Sequence, residues 1–253
     1  IYAQQPEWHR QVYWLLETWS LALSSIASSS FSHRMLMLMD LADHLHGKTY
    51  AALKYGNHFP EELPEGSDLD LCMPKPVYSR LHAFFNRHPL ISYRNQTVQS
   101  FMVNDMLVFN DGSTLSADCI WKLKRKNLVM MPLQPVFETA RTTRFGITVA
   151  SPAETARFVG LFYALNQTEI PARYRDLQTT LPLNTSLDRK LRLYYRNQIA
   201  SHSISNEIKN LPDNSGIRKL VNIIAYGADV IRRLRNRTAP VVTFSGVDGA
   251  GKS

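Results

Sequence analysis

A chain of 253 residues, 44% of them hydrophobic, is long enough for one large domain or two small ones around a real core, and it reads as a soluble globular protein. The formal charge of +8 and a pI near 9.5 point to a polyanionic partner: nucleotide phosphates, nucleic acid or a membrane surface. The longest uncharged stretch near the start, Thr18 to Ser32, is too short and too serine-rich to span a bilayer, and no basic segment precedes it, so neither a membrane span nor a signal peptide is expected.

From Glu7 to Ala27 the residues Trp8, Val12, Leu15, Leu16, Trp19 and Leu23 recur at helical spacing and predict an amphipathic helix. A second helix is predicted over Ser32 to His46, stopped by Gly47. Thr49 to Tyr55 reads as a strand broken at Gly56-Asn57, and the loop His58 to Glu65 leads into Gly66-Ser67-Asp68-Leu69-Asp70-Leu71. If that last run is a strand, its period of two places Asp68, Asp70 and Cys72 on one face and the two leucines on the other. Two carboxylates about 7 Å apart along a strand repel each other unless a cation answers them, and a divalent metal is the expected one.

Pro74 and Pro76 end the strand, and Val77 to His88 returns to helical spacing. Strands are predicted at Val98 to Val103, Met106 to Phe109 and Thr114 to Trp121, with Asn110-Asp111-Gly112 as a hairpin turn. Strand parity puts Ser116, Asp118 and Ile120 on one face and Ala117 and Cys119 on the other, so Asp118 is a third carboxylate inside an apolar strand. Lys122 to Lys126 reads as a basic turn, and Leu128 to Met131 as a further strand. The two cysteines, Cys72 and Cys119, read as reduced thiols of a reducing, cytoplasmic compartment.

The second half changes character. Ser151-Pro152-Ala153-Glu154 is a helix start, and helices are predicted to Leu165, over Pro171 to Leu181, Leu187 to Ser201 and Ile217 to Arg237. The strand-like run Val241 to Ser245 then opens onto Gly246-Val247-Asp248-Gly249-Ala250-Gly251-Lys252-Ser253. This is the phosphate-loop pattern in its required context, in which Gly246, Gly251, Lys252 and Ser253 serve phosphate and Mg²⁺. The chain starts at Ile1 and stops inside this motif, as a piece of a longer protein would.

Gly56-Asn57, the Asp68/Asp70 strand and the later Asp118 together resemble the nucleotidyltransferase superfamily that includes DNA polymerase beta, over Ser32 to Pro132. The terminal FSGVDGAGKS resembles the start of thymidylate kinase-like P-loop kinases. The resemblances imply an α+β architecture: a nucleotidyltransferase-like mixed sheet flanked by helices, then a helical module, then the first strand and phosphate loop of an α/β kinase domain. The corresponding boundaries are an N-terminal helix over 1–31 and domains over 32–145, 146–238 and 239–253. They further imply Mg²⁺ at Asp68, Asp70 and Asp118, and ATP or another nucleoside triphosphate bound with help from Gly56, Asn57 and Ser67. The implied reaction is transfer of a nucleotidyl group to a small acceptor, with a kinase domain in cis. Two other readings stand beside it: a degenerate substrate-binding or regulatory half of a kinase, and a nucleic-acid-binding adaptor suggested by the charge.

Overall fold

The computed structural model describes residues 32–54, 67–143 and 146–235. The Ser32 hydroxyl accepts from the backbone N–H of Met35 and opens helix α1 (His33–Leu45), which the left-handed Gly47 (φ 68°) closes. Strand β1 (Ala51–Leu53) runs antiparallel to β2 (Leu69–Cys72), and Pro76 lies in the first turn of α2 (Lys75–Arg87). The meander β3 (Ile91–Val98), β4 (Met102–Phe109) and β5 (Thr114–Ile120) follows, and β5 returns to pair in parallel with β2.

After the hairpin β6 (Leu123–Arg125) and β7 (Leu128–Met131) come the short helix α3 (Gln134–Glu138) and the two-residue strands β8 (Arg141–Thr142) and β9 (Thr148–Val149). β9 pairs in parallel with β1 and completes a seven-stranded mixed sheet in the order β3-β4-β5-β2-β1-β9-β8. Helix α4 (Pro152–Asn166), a 3₁₀ segment (Ala172–Thr180), α5 (Ser186–Tyr195), α6 (Ser201–Lys209) and α7 (Gly216–Arg235) make the second half. The molecule is thus mixed α+β, a mixed sheet flanked by helices.

The two sheet faces carry separate cores. Leu69, Leu71, Ala117 and Cys119 pack with Leu38, Leu41 and Leu45 of α1 and Leu81 and Phe85 of α2. Leu53, Cys72 and Ile120 point the other way and join Phe158 and Leu161 of α4, Leu191 of α5 and Ile204 and Ile208 of α6. The face carrying Cys72 and Ile120 by strand parity is therefore roofed by the helical half.

Five predicted elements differ. The strand predicted over Val98 to Val103 spans the end of β3, a turn and the start of β4, and Met102 to Phe109 is the one strand β4, paired with β3. Asn104-Asp105 reads as a break, yet Asp105 is fully buried because Arg94 (2.7 Å) and Gln96 (2.8 Å) of β3 answer its charge. The basic turn at Lys122 to Lys126 is the β6–β7 hairpin, turning at the left-handed Lys126, with Lys124 buried. Pro171 to Leu181 forms a 3₁₀ segment rather than an α-helix. Leu187 to Ser201 is not one helix, since left-handed Asn197 (φ 57°) follows α5 and α6 begins afresh at Ser201. The predicted helix over Glu7 to Ala27 and strand over Val241 to Ser245 lie outside the described residues.

Candidate functional site

Asp70 and Asp118 are register partners on the adjacent parallel strands β2 and β5. Side chains directly opposite on one face of a sheet lie about 5 Å apart at Cβ, so the pairing brings two carboxylates together that are 48 positions apart in sequence. Asp68 precedes Asp70 by two residues and is exposed, while Asp70 is buried, 8% accessible, and Asp118 partly buried. Asn104 sits opposite Asp118 on β4, and its amide donates to Asp118 Oδ1 (2.7 Å) and to Ser116 Oγ (2.9 Å).

Burial is the main cause that pushes the Asp118 carboxyl up to about 6. The charges of Asp70 and Asp68 add to the rise and the Asn104 hydrogen bond opposes it. Burial likewise raises Asp70, against the pull of Lys54. The charges of Asp68 and Asp70 thus both act on Asp118.

The cation beside Asp70 is Lys54. Its Nζ lies 2.7 Å from Asp70 Oδ2 and above the rings of Phe158 (5.4 Å) and Phe162 (5.2 Å) of α4. Burial works against its charge, but Asp70, Tyr174 and Tyr163 outweigh it, so Lys54 is held charged at neutral pH. Its backbone is left-handed (φ 57°), a conformation that costs a non-glycine residue about 1 kcal/mol or more. The metal expected as the answer to the paired carboxylates thus has a protein cation in its place on one Asp70 oxygen. Sequence reasoning missed Lys54. Its only signal was a charged residue ending the apolar run Ala51-Ala52-Leu53, just before Gly56.

An aromatic and cationic wall continues from Lys54. Arg125 lies 5.3 Å from the other cation-bearing ring, Phe162, and its Nε donates to Asn166 Oδ1. Tyr163 meets Tyr174 at 6.3 Å, with Arg173 stacked on Tyr174 at 4.8 Å. The basic stretch after β5 thus supplies one side chain to this wall, Arg125, and the segment Arg173-Tyr174 another.

Among the described residues no group of three or more His, Cys, Asp or Glu side chains is arranged as a metal cage. The donor chemistry nevertheless suits a hard divalent cation. Asp118 gives one oxygen to Asn104 and Asp70 one to Lys54, and three carboxylates against one ammonium leave two formal negative charges. Ser67 stands beside this cluster with its carbonyl accepting from Arg34 (3.2 Å). Gly56, Asn57, Gly246, Gly251, Lys252 and Ser253 lie outside the described residues.

No protein-family model matches the chain, and no curated protein or solved structure matches it significantly. No described helix is long and apolar enough to cross a membrane.

Proposed function

We propose that this chain carries a nucleotidyltransferase-like domain that transfers a nucleotidyl group from a nucleoside triphosphate to a small acceptor. A thymidylate kinase-like module would begin at the phosphate loop Gly246 to Ser253. The observation that carries the reading is the in-register pairing of Asp70 with Asp118, with Asp68 two residues before, Lys54 on Asp70 and Arg125 on the Phe162 ring that Lys54 also meets. Carboxylates and cations side by side fit a ligand that is itself an anion carrying divalent metal.

In this reading Asp68, Asp70 and Asp118 would hold Mg²⁺, which would supply neutralisation of the negative charge that develops during phosphoryl transfer. The acceptor oxygen forms a bond to the α-phosphorus while the bond to the pyrophosphate oxygen breaks. Asp118, whose carboxyl burial pushes up to about 6 before any cation binds, would be the group to take the hydroxyl proton. Lys54 and Arg125 would neutralise the departing phosphates. The buried thiols Cys72 and Cys119, on opposite sheet faces, support a reducing, cytoplasmic setting.

One observation favours a second reading: Lys54 already occupies Asp70, as it would in a module that binds nucleotide without turning it over and serves a kinase in cis. Labelled nucleoside triphosphates with Mg²⁺ and a panel of small alcohols and phosphates decide between them. Pyrophosphate release that Asp70→Asn and Asp118→Asn each abolish, with the fold intact by circular dichroism, supports transfer. Nucleotide binding without release supports the binding module, and no binding at all removes both.

A further inference from the structure

Lys54 is enclosed from three directions: by Asp70 of the sheet at 2.7 Å and by the faces of Phe158 and Phe162 of α4 at 5.4 and 5.2 Å. Its side chain is 23% accessible, and its backbone is left-handed (φ 57°). The other left-handed non-glycine residues among those described are Lys126, Gln167, Leu183 and Asn197.

A divalent cation bound between Asp70 and Asp118 would share Asp70 with the ammonium, and two cations a few ångströms apart repel strongly in a partly buried site. Arg125 lies over the same Phe162 ring at 5.3 Å, so a polyanion reaching that ring would meet two cations.

We propose that Lys54 is the resident counter-cation of the acidic cluster. It keeps Asp70 neutralised in the ligand-free protein and yields that carboxylate to a divalent cation when the phosphates of a nucleoside triphosphate draw the ammonium away. Metal and nucleotide then bind together rather than separately. This rests on reading the acids as a nucleotide site, and it adds the residue that couples the two ligands.

The test uses the full chain and Mn²⁺ alone, followed by the electron paramagnetic resonance signal of the free ion. Lys54→Met keeps the packing on Phe158 and Phe162 but removes the charge, and it should bind Mn²⁺ at least about tenfold more tightly than wild type. Unchanged or weaker Mn²⁺ binding overturns the proposal. A second measurement needs no change at Lys54: in excess chelator, calorimetric affinity for inorganic triphosphate should rise about tenfold in Asp70→Asn, which frees the lysine. The gain should be smaller in Asp118→Asn, which removes an equal charge without touching it. Equal gains in the two variants, or none, overturn the proposal. Neither readout involves turnover. If nucleotidyl transfer fails while both shifts appear, the counter-cation role stands alone; if transfer is found without them, the role falls and the activity remains.

Discussion

Asp118→Asn should raise the stability of the protein while removing its proposed activity, because the cluster holds a carboxylate in a place that disfavours its charge. The pKa of about 6, set mainly by burial and then by Asp70 and Asp68, compares with about 3.9 for a free aspartate. Because the folded form binds the proton more tightly, the stability that protonation confers is full below about pH 4 and is lost as pH rises through about 6. At 1.36 kcal/mol per tenfold, the difference has a ceiling of about 3 kcal/mol. Asp118 is only partly buried, and solvent screening reduces this to about 1–2 kcal/mol. An asparagine carbonyl still accepts from Asn104, so little is lost in exchange. The expected gain at pH 7.5 is a rise in Tm of roughly 3–6 °C for a domain of this size. It should shrink to nothing near pH 4, and saturating Mg²⁺ should shrink it at pH 7.5 by stabilising wild type alone. Thermal unfolding of both proteins from pH 4 to 8 measures it. A variant less stable than wild type at pH 7.5, or a gain independent of pH, would refute the electrostatic account of the cluster.

Two further substitutions probe the frame that holds the site. Arg94→Met leaves Asp105 fully buried without its ion-pair partner and should cost about 3–5 kcal/mol in urea unfolding; a loss below about 1 kcal/mol would mean Gln96 and Tyr78 suffice. Asn214→Ala removes an amide that accepts from Val129 N–H and donates to the carbonyls of Val129 and Ile208, tying the β6–β7 hairpin to α6. It should cost about 2–3 kcal/mol, with the midpoint of chemical denaturation as the measure.

The acidic strand was legible because period-two alternation is a strong signal where one face is buried. Leu69 and Leu71 do face the α1–α2 core, and Asp70 and Cys72 the other side. The Asn110-Gly112 turn fixed β5 against β4, and Asp118 followed by parity. What escaped was whatever tertiary context decides. β3 is an edge strand whose sequence, Ser92 to Thr97, is polar enough to pass for a loop, and Asp105 looks like a breaker until Arg94 is placed beside it. β8 and β9, two residues each, offer no period to read. Lys54 escaped because only the fold shows which carboxylate a lone lysine will meet.

The chain visits the sheet, leaves for the β6–β7 hairpin and α3, and comes back at β8 and β9, where Thr148–Val149 lies against β1 before the helices begin. Any cut between a catalytic front and a helical rear near position 145 would sever that returning strand and strip the roof from Leu53, Cys72 and Ile120. The two halves should therefore melt in a single transition.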